Sequence, residues 1–257
     1  MQHPNAFKTA IAARQRQIGL WLSMADSVAA EICATAGFDW FLIDGEHAPN
    51  DLRTILAQLQ TLAAFPVEPV VRPPVGEAWI IKQLLDAGAR SLLVPMVDTA
   101  EQARELVSMT RYPPHGIRGV GARMARASRF GARSDYIAKA KDEMCLLVQV
   151  ETAGALGQIE AIAAVEGVDG IFVGPSDLAA SMGHPGNPAH PEVRAAVEDA
   201  LRRIAAAGKP AGIVSFNADD TQRFIDLDTM FVAVGADAAI LADGTRALIN
   251  RFKKPLQ

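Results

Sequence analysis

The chain has 257 residues, of which 50% are hydrophobic and 6% aromatic, and its formal net charge at pH 7 is −4. This length suits a single α/β barrel, a class of domain that commonly reaches about 250 residues. The acidic balance and the lack of a Lys/Arg run argue against nucleic acid or an anionic membrane as the main partner. We therefore expect a small-molecule substrate.

The two cysteines and the amino-terminal residues bear on the cellular compartment in which the protein is expected. Cys33 and Cys145 lie in apolar surroundings, and their number and spacing predict neither a disulfide framework nor a cysteine metal site. The first eight residues lack the apolar stretch of a signal peptide, and no run approaches the length of about 18 apolar residues that a membrane span needs. We expect a cytoplasmic protein with reduced thiols.

Short apolar runs rich in β-branched and aromatic residues alternate along the chain with longer segments of helical period. The predicted strands are 18–22, 39–43, 68–71, 91–94, 145–150, 170–173, 210–214 and 230–234. The predicted helices are 26–36, 52–64, 77–87, 99–109, 153–164, 191–207, 218–227 and 244–252. Repeated β-then-α units with right-handed crossovers predict a parallel sheet that closes into a (β/α)8 TIM barrel, an α/β fold, with residues 1–257 as one domain.

Glycines and one irregular segment complete the predicted organisation. Gly37, Gly88 and Gly208 each follow a helical run and precede a strand, as a helix C-cap does, which places these turns at the amino-terminal end of the barrel. Segment 111–135 is rich in Gly, Arg and Pro and has no clear apolar period. Because so long a connection is usually functional, we expect it over the mouth of the barrel or at a subunit contact.

Two acidic residues stand where predicted strands give way to turns. Glu151 follows the run LLVQV and Asp177 follows IFVGPS. Residues at the carboxyl ends of neighbouring strands share one rim of a barrel, so two carboxylates there can hold one hard divalent cation. Taken singly, Asp177 could cap a short helix and Glu151 could be a first-turn residue. Their pairing on adjacent strands favours a metal site.

Other polar residues follow the remaining strands onto the same rim. Asp44 and His47 follow strand 2, Arg72 follows strand 3 and Gln149 lies near the end of strand 5. Arg72 could form a surface ion pair, but a guanidinium at a strand end also suits a substrate carboxylate or a developing oxyanion. A single histidine is usually structural or solvated, whereas His47 lies among polar neighbours after a strand, where a base could act.

Several longer motifs extend this pattern over nearly the whole chain, from about residue 7 to residue 252. They are FLIDGEHAPND at 41–51, VVRPP at 70–74, LLDAGA at 84–89, LLVPMVDTAEQA at 92–103, RYPPHGIRGVG at 111–121, QVE at 149–151 and IFVGPSDLAASMG at 171–183. Together they resemble the HpcH/HpaI aldolase family, the class II pyruvate aldolases built on a barrel of the phosphoenolpyruvate/pyruvate-binding type.

The resemblance implies a lyase that reversibly cleaves 4-hydroxy-2-oxo acids to an aldehyde and pyruvate, or a related 2-oxo acid such as hydroxypyruvate, through an enolate. Glu151 and Asp177 would ligate a divalent metal ion, Mg²⁺, Mn²⁺ or Co²⁺, with the 2-oxo acid completing the shell. Substrate contacts would come from Gln149, Ser176, Asp177, Trp21 and Val214.

Catalytic roles follow from the same resemblance. Arg72 would stabilise the enolate oxygen and His47 would be the base. Asp86 would raise the basicity of His47, and Asp44 would position His47 or a water molecule. Relatives are commonly homohexamers, trimers of dimers, that exchange the last helix between partners, a role that the apolar segment 247–252 could fill.

The chemistry leaves alternatives open. A class I aldolase needs a lysine at a strand end, and none of the seven lysines follows a predicted strand; Lys209 precedes one. A CoA-ester lyase of the citramalyl-CoA or malyl-CoA type would need a basic surface, for which only 111–133 offers arginines. A phosphoenolpyruvate mutase-like enzyme could use the same enolate chemistry. A non-catalytic oligomer that binds metal and oxo acid would not need a base.

Overall fold

The computed structural model describes residues 5–253, in which eight parallel strands form a closed barrel in sequential order. The strands are β1 Gln17–Leu22, β2 Trp40–Asp44, β3 Glu68–Arg72, β4 Ser91–Val94, β5 Cys145–Val150, β6 Gly170–Val173, β7 Ala211–Val214 and β8 Phe231–Ala236. The predicted TIM barrel is confirmed, and every predicted strand is present within two residues of its expected bounds. Residues 1–4 and 254–257, which the one-domain prediction includes, lie outside the described residues.

Helices precede β1, connect each strand to the next and follow β8. They are α1 Ala6–Ala12, α2 Ser27–Ala34, α3 Leu52–Leu62, α4 Ala78–Ala87, α5 Ala100–Thr110, α6 Tyr136–Glu143, α7 Ala153–Leu156, α8 Ile159–Ala163, α9 Pro175–Ser181, α10 Pro191–Ala206, α11 Ala218–Asp226 and α12 Asp237–Ile249. The predicted helix 153–164 is in fact α7 followed by α8, and the predicted helix 244–252 begins earlier, at Asp237. The sequence patterns did not predict α1 or α6, and the short helix α9 appeared only in the alternative interpretation of Asp177.

Local sequence signals explain where several helices begin and end. The Asp51 side chain accepts hydrogen bonds from the backbone N–H groups of Arg53 and Thr54 and starts α3 in a capping box. Gly88 ends α4 with φ 105°, a left-handed conformation that costs glycine little. These caps fix the lengths of the connections, and so they fix which residues reach each end of the barrel.

The strands alternate between two apolar layers, as a period of two residues requires. Side chains such as Leu42 and Phe172 point into the barrel, whereas Phe41 and Ile171 pack against the surrounding helices. Helix α1 covers the amino-terminal end of the barrel, where the Phe7 ring lies 5.6 Å from Trp40 and 5.7 Å from Phe231. The carboxyl-terminal end of the barrel has polar residues at its strand ends, described below.

The arginine-rich segment 111–135 lies at the amino-terminal end of the barrel, so it does not cover the mouth of its own barrel, and the alternative position at a subunit contact stays a prediction. It follows α5 and precedes β5, and the chain has already returned to the start of the strands at that point. Arg126 donates to the carbonyls of Leu59 and Ala87, near the last turns of α3 and α4. The Arg118 guanidinium stacks 4.5 Å from the centre of the Tyr112 ring. The segment is thereby fixed to the face opposite the mouth.

Within residues 5–253, none of the helices combines the length and the apolar character needed to cross a membrane.

Candidate active site

The ends of β2 and β3 place an acidic and a basic side chain side by side. Asp44 and Arg72 are register partners, and Arg72 donates to the two carboxylate oxygens at 2.9 Å from Nε and 2.8 Å from Nη2. The indole N–H of Trp21 donates to Asp44 Oδ2 at 3.2 Å, and the guanidinium lies 5.1 Å from the centre of the indole. All three residues are buried. A bidentate, stacked guanidinium of this kind is fixed in orientation.

Asp44 serves this cluster as a stable anion. Burial opposes its ionisation, but hydrogen bonding to Arg72, the charge of Arg72 and two backbone N–H groups outweigh burial and lower the pKa of Asp44. Those N–H groups belong to Glu46 and His47, at 3.0 and 3.4 Å from Oδ1. Asp44 therefore orients both Arg72 and the turn that carries His47, and its low pKa makes it a poor base.

Glu151, directly after β5, is a buried carboxylate with two fixed donors. The backbone N–H of Met96 donates to its Oε1 at 2.8 Å, and the side-chain amide of Gln149 donates to its Oε2. Gln149 Oε1 is buried and has no hydrogen-bond partner among the described residues. Because an unpaired buried acceptor is costly, such an atom marks a place that a ligand or an ion can satisfy.

The environment of Glu151 disfavours its charge. Burial is the main cause, the negative charges of Asp177 and Glu46 add to it, and together they raise the pKa of Glu151 to about 7 although its two hydrogen bonds act in the opposite direction. Asp177 and Glu46 are therefore close enough to Glu151 for their charges to raise its pKa. A divalent cation would relieve their mutual repulsion and hold Glu151 as an anion.

Because Gly174 has no side chain, the Glu151 carboxylate can lie directly against its backbone. A Cβ atom at this position would lie 2.5 Å from Glu151 Oε2 and 2.9 Å from Glu151 Cβ, closer than real side chains approach. The backbone at the end of β6 thus runs against the carboxylate. Any side chain at this position would displace Glu151 from the mouth.

Asp177 and Ser176 lie on the first turn of α9, after Pro175, and both are exposed. Asp177 is the acidic residue of that first turn, so the alternative interpretation of it as the helix N-cap is wrong, and the cap residue is Gly174. The buried Glu151 carboxylate, the exposed Asp177 carboxylate and the unpaired Gln149 oxygen could together provide an all-oxygen donor set. This set fits a hard divalent ion.

Glu46 is a site residue that the sequence analysis did not select. Its Oε2 lies 2.9 Å from Arg72 Nη1, and its Oε1 lies 3.8 Å from His47 Nε2. Burial raises the pKa of Glu46, while Arg72 and His47 act in the opposite direction and Asp44 and Asp177 add to the rise. The His47 side chain itself is largely exposed, at 64%. Glu46 therefore links the fixed guanidinium to the exposed imidazole.

Comparison of the chain with known proteins identifies its family. The profile of the family described as HpcH/HpaI aldolase/citrate lyase matches residues 17–243. The chain belongs to this family. It is 62% identical over 250 residues to the hydroxypyruvate/pyruvate aldolase of Cupriavidus necator, covering 97% of this chain and 93% of that protein.

Two further relatives extend the comparison. The 4-hydroxy-2-oxo-heptane-1,7-dioate aldolase of Klebsiella pneumoniae is 56% identical over 248 residues, covering 96% of this chain and 94% of the relative. Among solved structures, an HpcH/HpaI aldolase/citrate lyase family protein from Burkholderia cenocepacia superposes with a TM-score of 0.93 at 42% identity, covering 96% and 98% of the two chains. The family predicted from the motifs is confirmed.

In this HpcH/HpaI family member, the expected partnership of Asp86 with His47 does not form within the chain. Asp86 lies in the last turn of α4, just before β4, and so at the amino-terminal end of the barrel. Its Oδ1 accepts a hydrogen bond from Arg118 Nη2 at 2.7 Å. His47 follows β2 at the carboxyl-terminal end. Within one chain, Glu46 is the carboxylate beside His47.

The remaining predicted residues lie at the expected end of the barrel. Val214 ends β7 and packs, half-buried, against the inner apolar layer to which Trp21 belongs. The structure thus places Asp44, Arg72, Gln149, Glu151 and Trp21 in one buried set, with His47, Ser176, Asp177 and Val214 at the rim.

Proposed function

We propose that this protein is a divalent-metal-dependent, class II aldolase that cleaves 4-hydroxy-2-oxo acids to an aldehyde and pyruvate or hydroxypyruvate. One observation carries the proposal: the fixed Arg72 guanidinium and the Glu151–Gln149 pair, with its unpaired Gln149 oxygen, occupy one mouth. Relatives that are 54–62% identical over nearly the whole chain bear aldolase names, which supports a carbon–carbon lyase.

Glu151 and Asp177 would hold the metal ion, with Mg²⁺, Mn²⁺ and Co²⁺ as candidates. Two carboxylates and neutral oxygen donors accept any of these ions. When bound, the ion would supply a Lewis acid that polarises the keto group of the 2-oxo acid. Burial and the neighbouring carboxylates make the ionised form of Glu151 unfavourable when no cation is bound. A bound cation would offset that cost.

The chain's own residues supply the other requirements of aldol cleavage. Arg72 is fixed by Asp44 and Trp21 with its charge at the mouth, where it would stabilise the oxygen of a developing enolate. Gln149 would orient the 2-oxo acid through its side-chain amide. His47, exposed at the rim, would take the proton of the 4-hydroxyl group in cleavage and return it in condensation.

Residues farther out would shape the aldehyde part of the pocket. Val214 and Trp21 would provide its apolar wall, and Ser176 with Asp177 would contact the oxo acid from the first turn of α9. Contacts at this outer end would decide which aldehyde the enzyme accepts.

The CoA-ester lyase alternative has less support. The arginines that could bind CoA phosphates lie in segment 111–135 at the opposite end of the barrel, where Arg118 pairs with Asp86 and Arg133 with Glu143. The mutase-like alternative would use the same buried groups, and the aldolase names of the relatives favour cleavage. A pure binding role does not account for an exposed imidazole that Glu46 links to a fixed guanidinium.

We also propose a cytoplasmic homohexamer in which α12 is exchanged between partners. Apolar side chains remain exposed on and just after this last helix, namely Ile240, Leu241, Leu248, Ile249 and Phe252. Such an exposed apolar set is typical of a surface that another subunit covers. Both cysteines are free, as is typical of proteins in a reducing compartment.

The test of this function is release of pyruvate from a 4-hydroxy-2-oxo acid by metal-stripped protein, with and without added Mg²⁺, Mn²⁺ or Co²⁺. We expect release only after metal is added, because no lysine within residues 5–253 lies at the carboxyl end of a strand, where a Schiff base would form. Two of these lysines, Lys8 and Lys209, bond to main-chain carbonyls at the amino-terminal end. Lys254 lies outside the described residues. Full activity after stripping, with a borohydride-trapped lysine adduct, would contradict the proposal.

His47→Ala tests the assignment of the base. We expect the turnover number to fall by about 10²- to 10⁴-fold, the usual contribution of general acid–base catalysis, while Mn²⁺ affinity stays close to that of wild type. His115→Ala, at an exposed histidine on the opposite end of the barrel, is the matched control and should keep full turnover. If His47→Ala turns over as fast as wild type, another group is the base.

A further inference from the structure

The turn that follows β4 is tied to the end of β5 by main-chain donors. The N–H of Met96 donates to Glu151 Oε1 at 2.8 Å, and the N–H of the next residue, Val97, donates to the main-chain carbonyl of Gln149 at 3.0 Å. Two successive backbone N–H groups therefore hold the carboxylate of one candidate site residue and the main chain of another. Neither contact involves a side chain of the turn.

A third link extends the same attachment. Asp98 Oδ1 accepts a hydrogen bond from Thr152 Oγ1 at 2.6 Å, so residues 96–98 are attached to residues 149–152 at three points. The regular pairing of β4 with β5 ends at Val94 and Val148. Beyond that point the turn continues to fix β5 at the place where Glu151 emerges.

Met96 adopts a backbone conformation that its residue type does not favour. Its φ is 57°, in the left-handed region that non-glycine residues rarely occupy. Its side chain is 50% exposed, so burial of the thioether does not explain the conformation. The contact that this conformation does provide is the N–H directed at Glu151.

We propose that the left-handed turn at Met96 is a positioning element for Glu151: its main-chain N–H fixes Oε1 while the Gln149 amide donates to Oε2, and together the two donors orient the carboxylate toward a cation at the mouth. This inference rests on the proposed metal site. A carboxylate whose oxygens are held by fixed donors keeps a constant orientation, which is how outer-shell contacts increase metal affinity. Met96 acts through Glu151 and has no contact of its own with the reacting atoms.

If the proposal is correct, metal affinity depends on how readily the residue at position 96 adopts a positive φ. Glycine and asparagine adopt positive φ readily, whereas a β-branched residue there is a steric outlier. We expect Met96→Asn and Met96→Gly to bind Mn²⁺ nearly as well as wild type. Met96→Val should relax the turn, remove the N–H from Glu151 and weaken Mn²⁺ binding by about 10- to 100-fold.

The experiment is calorimetric titration of metal-stripped protein with Mn²⁺ for wild type and the Val and Asn variants, with thermal melts of each. Ala25→Val is the matched control, because Ala25 also has a positive φ, 54°, in the connection between β1 and α2. The control should lower the melting temperature and leave Mn²⁺ affinity unchanged. A weakened Val variant beside a wild-type-like Asn variant supports the proposal.

Other outcomes distinguish a failed metal site from a failed positioning role. If wild type itself binds no Mn²⁺, the metal site is wrong and the positioning role falls with it. If wild type binds and Met96→Val binds equally well, or if the Asn and Val variants lose affinity alike, the positioning role alone is overturned.

A second measurement applies if Met96→Val does not fold. Hydrogen exchange of segment 95–98 is then compared between wild type and Glu151→Ala. Loss of protection in Glu151→Ala supports the link between the turn and the carboxylate, and unchanged protection overturns it.

Discussion

Replacing Glu151 by glutamine is expected to lower metal-dependent pyruvate release by roughly 10³-fold or more, because the Lewis acid contributes several kcal/mol and each 1.36 kcal/mol is a factor of ten. Glutamine has nearly the same shape and can still accept the Met96 N–H. A flip of the Gln149 amide would let its unpaired Oε1 accept from the new side chain. The geometry should therefore survive while the anionic metal ligand is lost.

The same substitution should make the metal-free protein more stable at alkaline pH. The folded protein raises the pKa of Glu151 from 4.5 to about 7, so the folded state holds this proton more tightly than the unfolded state does. Stability is therefore lost as pH rises from about 4.5 to about 7, and the cost stays constant above that range. Because a tenfold change in proton affinity corresponds to about 1.36 kcal/mol, the cost is about 3 kcal/mol.

Thermal melts of metal-free wild type and Glu151→Gln at pH 5 and pH 8 test this expectation. The variant should melt about 6–12 °C above wild type at pH 8, since 1 kcal/mol corresponds to roughly 2–4 °C for a domain of this size, and the difference should shrink at pH 5. Glu160→Gln, at an exposed carboxylate paired with Arg203, is the control and should keep wild-type activity. A Glu151→Gln enzyme that retains metal-dependent turnover would show that Glu151 is not a ligand.

The barrel and the strand-end residues could be predicted because the apolar periodicity and the turn and cap residues indicate directly where each strand and helix begins and ends. The strands are short apolar runs, and residues such as Asp44 and Arg72 follow them immediately, so a parallel order places both side chains at one rim. Helix α1 was missed because its seven residues bury only Phe7 and Ile11, too few to show a period. Its position depends on packing against Trp40, far along the chain.

The absence of an Asp86–His47 contact within one chain has a different cause. The motif that contains Asp86 suggested a partner for His47, although Gly88 two residues later marks the end of α4 and therefore the amino-terminal end of the barrel. Chain order alone could have shown that the two residues lie at opposite ends of one chain. Met96 could not be found in this way, because its contact with Glu151 is made by a main-chain N–H that every residue except proline possesses.

Replacing Arg72 tests the second large effect, stabilisation of the developing oxyanion. Arg72→Lys is expected to lower the turnover number by about 10²- to 10³-fold, the usual loss when one oxyanion donor is removed. Lysine keeps the positive charge but cannot pair with both oxygens of Asp44 and also direct a second N–H at substrate. Steady-state kinetics with saturating Mn²⁺ should show the loss mainly in kcat. Arg203→Lys, on the surface, is the matched control.

Arg72→Leu separates catalysis from stability. It leaves Asp44 buried without its partner, which should destabilise the protein by roughly 3–5 kcal/mol at neutral pH. Arg72 lowers the pKa of Asp44 below its usual 3.8, so the pair stabilises the fold above that pH and its contribution is lost as pH falls through the lowered pKa. The deficit of Arg72→Leu should therefore shrink in acid.

A double variant distinguishes catalysis by Arg72 from support of the fold. Asp44→Asn combined with Arg72→Leu removes both charges of the bidentate pair, and replacing both partners of a buried pair costs far less than removing one. Glu46, the other carboxylate beside Arg72, is present in both variants, so it does not affect their comparison. We expect the double variant to regain most of the stability that Arg72→Leu loses, while pyruvate release stays at the low level of the single variant. If activity returned together with stability, Arg72 would only support the fold, and the oxyanion would have to be stabilised by another group at the mouth.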